Sequence, residues 1–145
     1  MVDTLLTRAQ ERINKILGKE AWGVSIGHGT FVTMEFGKEI PGRRPHGEWH
    51  IWIRDAAWRL DKGEKTLEGS NSIFDRKNIQ LLNGKIITKW CFHQGGKFMV
   101  LNFSSEYRMS VFSDSKDDEF LTLFYPGGIF SFFADGHIEN IDNFE

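Results

Sequence analysis

Three features of the sequence predict an α+β fold: a strongly bent antiparallel β-sheet, or a partly open barrel or sandwich, with an N-terminal amphipathic helix and one short middle helix. Apolar residues recur at helical spacing over the first turns of the chain. From Ala21 the apolar period drops to two. Turn-forming residues then punctuate the rest at short, even intervals. The chain has 145 residues, 40% of them hydrophobic and 26% charged, which fits one globular domain with an ordinary core. The expected layout is a single domain over 1–145. It comprises a helix over about 4–17, a β-rich stretch over 21–60, a short helix over about 73–83 and a β-meander over 85–141.

In the first element Leu5, Leu6, Ala9, Ile13, Ile16 and Leu17 form one apolar stripe, while Arg8, Glu11, Arg12 and Lys15 fall mostly elsewhere. Asp3 or Thr4 is placed to cap its start, and Gly18 sits where a left-handed residue ends a helix. Trp22, Val24 and Ile26 then alternate with small residues. After Gly27-His28-Gly29, Val32, Met34 and Phe36 alternate with Phe31, Thr33 and Glu35, which predicts a hairpin. Residues 37–47, rich in glycine and proline, read as an exposed loop. The segment 48–54 is a strand with Trp49, Ile51 and Ile53 on one face and Glu48, His50, Trp52 and Arg54 on the other. Residues 56–60 continue it or pair with it after a bend at Asp55.

A turn-rich stretch is expected over 61–72. Ser72, with Asp75 three residues on, opens the middle helix, Ile79 and Leu82 face inward, and Gly84 closes it. Runs near 85–93, 97–104, 107–113, 119–125 and 129–134 form the meander. The hairpin within 119–134 is apolar on both faces, so it belongs at the centre of a sheet or under a helix.

A single cysteine, Cys91, rules out an internal disulfide and a cysteine-based metal centre. It points to a reducing compartment, most simply the cytoplasm. The charged N-terminal segment has no apolar core of a secretory signal, and no stretch is apolar enough to span a membrane. Neither membrane nor nucleic acid is expected as a partner. Lys38, Arg43 and Arg44 cluster in the 37–47 loop, yet the net charge is −2.

Motifs for chemistry are sparse. The sequence holds no nucleophile elbow, no phosphate-binding loop and no dinucleotide fingerprint. His46 and His50 flank Glu48, but on a strand the three side chains spread over about 13 Å, too far for one ion. No metal and no cofactor are therefore expected, and Cys91 reads as an inert strand thiol. An acid, an imidazole and a guanidinium at alternate positions, Glu48, His50 and Arg54, make a possible ligand face together with the turn at His28. A solvated sheet face with weak ion pairs accounts for the same pattern.

Charge distribution is the more informative signal. Residues 1–113 carry 17 basic and 12 acidic side chains, whereas residues 114–145 carry one basic against eight acidic. Asp114, Asp117, Asp118 and Glu119 are thus the candidate partner-binding residues, able to steer a basic protein toward this end of the chain. Phe112 or Phe120 would supply an aromatic anchor beside them. Catalytic residues are not expected.

The strings WGVSIGHGTFVTMEFG (22–37) and GEWHIWIRDAAWRLD (47–61) resemble an uncharacterised family of small bacterial proteins. That family shares a Gly-His-Gly-Ser/Thr-Phe turn, a Glu-Phe-Gly and a Gly-Glu-Trp-His strand. The resemblance covers about residues 20–61 and brings no catalytic residues with it. By analogy alone, small α+β proteins with an acidic patch suggest an immunity protein, which neutralises a toxin by binding it. The expected function is accordingly a non-catalytic protein-binding module. A small-ligand protein or enzyme using the Glu48/His50/Arg54 face is the alternative.

Overall fold

The computed structural model describes residues 4–27, 29–42, 44–71 and 76–142. His28, Arg43, Ser72 and Asp75, singled out above, lie outside the described residues, as does Asp3. Helix α1 spans Thr4–Asn14. The strands that follow are β1 Ala21–Ile26, β2 Val32–Ile40, β3 His46–Ile53, β4 Ala56–Lys62 and β5 Lys65–Gly69. After a 3-10 helix at Arg76–Leu82 come β6 Ile87–His93, β7 Phe98–Phe103, β8 Tyr107–Ser113, β9 Glu119–Tyr125, β10 Gly128–Phe133 and β11 Ile138–Asp142.

All pairings between these strands are antiparallel, and they build two sheets. One has six strands in the order β1-β2-β3-β9-β10-β11; the other has five in the order β5-β4-β8-β7-β6. Their apolar faces share one core, in which Met34, Ile51, Ile53, Leu121 and Leu123 from the larger sheet lie in the same cluster as Trp58, Leu60, Met99, Leu101 and Met109 from the smaller. The α+β class and the antiparallel architecture are as predicted, with two open sheets and no closed barrel.

The α1 stripe lies as the spacing requires, with Ala9, Ile13 and Ile16 fully buried. The helix stops at Asn14, short of the expected residue 17, because the next turn tightens: the amides of Lys15 and Ile16 bond carbonyls three residues back. Gly18, at φ 93°, then turns the chain and donates to the Ile87 carbonyl at 2.8 Å. The 3-10 helix buries Ile79 and Leu82 as expected. The β9–β10 hairpin is interior to its sheet, as its two apolar faces demand.

Three further features differ from what the sequence predicts. Strand β2 runs on through Ile40, so much of the predicted 37–47 loop is hairpin. The register steps from Phe36↔Trp49 to Glu39↔Gly47, which leaves Gly37 and Lys38 opposite Glu48 alone. That is a bulge with glycine in its left-handed position, at φ 80°. The stretch 61–72 contains a strand, β5, paired to β4. Finally, β4 neither continues β3 nor pairs with it. Asp55, at φ 49°, turns the corner and sends β4 into the other sheet against β8. Among the described residues, no helix is long and apolar enough to cross a membrane.

Candidate functional site

Side chains directly opposed across strands share a sheet face. On β3 the inward residues are Ile51 and Ile53, so His50, Trp52 and Arg54 project from the outer face of the six-stranded sheet. Antiparallel pairing then brings Glu35 of β2 and Phe124 of β9 to either side of His50. Glu35 is only 5% exposed. One of its carboxylate oxygens accepts the Gly47 amide at 2.8 Å; the other is bonded by Nδ1 of His50. Nε2 of the same imidazole accepts the indole N–H of Trp52. The outcome is an unbroken chain from a backbone amide, through a buried carboxylate and an imidazole, to a half-buried tryptophan.

Around this chain the rings pack closely. Trp52 meets Phe124 edge-on at 4.7 Å between centroids and Phe31 at 5.8 Å, and His50 lies 5.4 Å from Phe124 and 6.0 Å from His46. The Arg54 guanidinium lies over Trp52 at 5.6 Å and forms an ion pair with Glu119. Burial raises the Glu119 carboxyl, but a hydrogen bond from Ser131 and the Arg54 charge outweigh it and hold the group below the usual glutamate range.

The ion pair marks a junction in the chain path. The polypeptide passes between the sheets at residues 54–55 and again at residues 114–118. These two crossings lie side by side, with the Arg54 amide bonded to the Phe120 carbonyl at 3.1 Å. Asp114, Asp117 and Asp118 are exposed on the second crossing. The Ala134 amide donates to the Asp118 carbonyl at 2.9 Å, and this joins the β8–β9 loop to the β10–β11 turn carrying Asp135, with Glu139 just beyond it. His137 stacks on Phe133 at 4.3 Å in that turn. Glu139 pairs in register with Ser131, on the same outer face as Trp52.

The predicted residues are therefore only partly brought together. Glu119 is no free member of the acidic surface, since Arg54 neutralises it; Asp114, Asp117 and Asp118 are exposed as expected. Among the described residues no hydrogen bond links Glu48, His50 and Arg54 to one another. Glu48 accepts the Lys38 amide at 2.8 Å and so holds the β2 bulge. Phe120 is fully buried and offers no anchor. Phe112 is exposed, on the outer face of the five-stranded sheet against Phe98. The functional residues missed are Glu35, Phe31 and Phe124. An acid set between the apolar residues Met34 and Phe36 is the available signal for Glu35.

Both ring nitrogens of His50 are engaged, so the imidazole offers neither a free lone pair for proton abstraction nor a metal-binding position. Two open depressions, one around Tyr107 and Arg108 and one between α1 and β11, include neither His50 nor Glu35. No cluster of His, Cys, Asp and Glu able to hold a metal occurs among the described residues. No protein-family model, curated protein or solved structure matches the chain significantly.

Proposed function

We propose that the protein is a non-catalytic binding module that recognises a basic protein surface. Its partner would be a toxin domain whose cationic substrate cleft it occludes, which makes it an immunity protein. The observation that carries the reading is the stitching of the 114–118 loop to the 134–137 turn and the start of β11. It sets Asp114, Asp117, Asp118, Asp135 and Glu139 around one end of a half-exposed aromatic face. Interfaces commonly pair a few aromatic anchors with a polar, charged rim. Charges on such a rim act mainly on encounter rate and partner choice, and added salt screens them. The supporting aromatics, Phe31, Trp52 and Phe124, are held by neighbours rather than free to collapse.

The experiment compares the immobilised wild type with the D114K/D117K/D118K variant in extracts of the native host, at low and at raised salt. A basic protein retained by the wild type, released by salt and absent from the variant is the expected result. Equal retention by both forms, with the same thermal melt, overturns the assignment of this surface.

A further inference from the structure

Resting on that protein-binding reading, we infer that Trp52 anchors the docking face and that His50 holds it in place only while its imidazole is neutral, so that recognition is proton-dependent. The direction of every bond in the chain is fixed by its two ends. A backbone amide and an indole N–H can only donate. Trp52 therefore requires a lone pair on Nε2 of His50, which leaves the proton on Nδ1, facing the Glu35 carboxylate. The carboxylate in turn takes the Gly47 amide. This sequence of donors and acceptors has one consistent arrangement, and the imidazole in it is uncharged.

An imidazolium carries N–H on both nitrogens. Its Nε2–H would face the indole N–H, two donors with no acceptor between them, and one group has to move. The imidazolium's bond to the Glu35 carboxylate strengthens with its charge, whereas its contact with the indole becomes repulsive. The indole is the end that leaves. Its departure takes Trp52 off Phe124 and Phe31 and from beneath the Arg54 guanidinium.

The groups facing His50 divide in their effect. From β2, Glu35 favours the proton. From β3, His46 opposes it when itself charged, and Arg54 stands beyond Trp52. From β9, the contacting ring is the uncharged Phe124, while Glu119 is committed to Arg54. The β1 residue opposite Glu35 is the uncharged Trp22.

The test reads the free protein and the complex separately. Among the five tryptophan indole N–H signals, that of Trp52 is assigned by Trp52→Phe and followed by ¹H–¹⁵N NMR while the His50 ring protons are titrated. Expected is a Trp52 signal that shifts and exchanges faster with solvent in step with His50 protonation. In His50→Gln, whose amide can donate to Glu35 and accept from Trp52 without titrating, the signal stays fixed; in His46→Asn the Trp52 signal still moves in step with His50 protonation. A Trp52 signal that stays constant through His50 protonation overturns the inference, whatever the protein binds. In the complex, binding of the retained basic partner should weaken about tenfold or more on acidification, the loss that accompanies one anchor side chain, and His50→Gln should abolish that dependence. Equal binding at both pH values overturns proton-dependent recognition while leaving the protein-binding reading standing. If no partner is retained at all, that reading fails and proton-dependent recognition with it, and the NMR arm still judges the latch.

Discussion

Replacing Glu35 by glutamine tests the donor and acceptor order directly, because it changes one atom and almost no volume. In the native chain the carboxylate accepts twice, from Gly47 and from His50. A carboxamide accepts at its oxygen and donates at its nitrogen. If the oxygen keeps Gly47, the nitrogen needs a lone pair on Nδ1 of His50, and the imidazole proton moves to Nε2, against the indole N–H. If the oxygen turns to His50, the amide nitrogen faces the Gly47 N–H. In either arrangement one N–H loses its partner, at a cost of about 1–3 kcal/mol, and the surviving bonds weaken by about 1 kcal/mol without the charge. The expected total is about 2–4 kcal/mol, or a fall in Tm of roughly 4–16 °C for a chain of this size. Urea unfolding at neutral pH, followed by far-ultraviolet circular dichroism, measures it. Glu48→Gln is the control. Its carboxylate accepts one exposed amide, which a carboxamide oxygen serves as well, so its change should stay within about 0.5 kcal/mol. A Glu35→Gln protein as stable as Glu48→Gln would refute the proposed order of bonds.

The close approach of β2 to β3 makes Gly47→Ala costly. An added methyl would collide with the Phe36 carbonyl oxygen and lie 2.9 Å from the Phe36 nitrogen, both backbone atoms, so a loss of about 1–3 kcal/mol or more is expected. Gly42→Ala, with open space around the methyl, should stay within about 0.5 kcal/mol in the same unfolding assay. A second test uses Asp61, which is 2% exposed and accepts Thr66 Oγ1 at 2.8 Å, Arg59 Nε at 3.1 Å and Arg108 Nη2 at 3.3 Å. Burial alone would raise its carboxyl; the Thr66 hydroxyl and the two guanidiniums overcome this and depress it. A depressed folded value means the stabilisation is complete above the unfolded aspartate value of about 3.9 and drains away as pH falls through the folded one. Asp61→Asn should therefore cost about 1–3 kcal/mol at pH 7, and its deficit should shrink in acid. A deficit that is the same at both pH values would show that the charge contributes nothing.

Periodicity carried much of the fold into view. The stripe from Ala9 to Ile16, the alternation of Val32, Met34 and Phe36, and the inward Ile51 and Ile53 are all buried where their spacing puts them. Local alternation says which face a side chain takes, but not which strand lies beside it. Along its own strand the acid nearest His50 is Glu48, roughly 7 Å away at two residues' rise. The partner that forms, Glu35, comes from across the sheet, where opposed side chains stand about 5 Å apart. Register decides this, and register here depends on the bulge at Gly37, whose glycine reads in the sequence only as part of a loop. The bend at Asp55 is legible in the sequence, but its change of sheet is not, for a similar reason. One residue at positive φ separates a strand that continues from one that changes sheet, and alternation on both sides of it is undisturbed.

The corner also explains why two surfaces that look unrelated in the sequence form one place. The β3–β4 corner and the 114–118 loop are the two routes by which the chain passes between the sheets, and β9 pairs directly with β3. Adjacent strands that leave a sheet at the same end must place their connections side by side. Arg54 and Glu119 are the residues at those exits, so their ion pair follows from topology, and it has two consequences. It removes Glu119 from the exposed acidic set and leaves Asp114, Asp117 and Asp118 to carry the charge. It also fixes the guanidinium over Trp52, which couples the acidic rim to the aromatic face through one side chain. On the proposed reading, a basic partner drawn to the rim would arrive beside Trp52, and whatever sets the position of that indole would set what the partner meets.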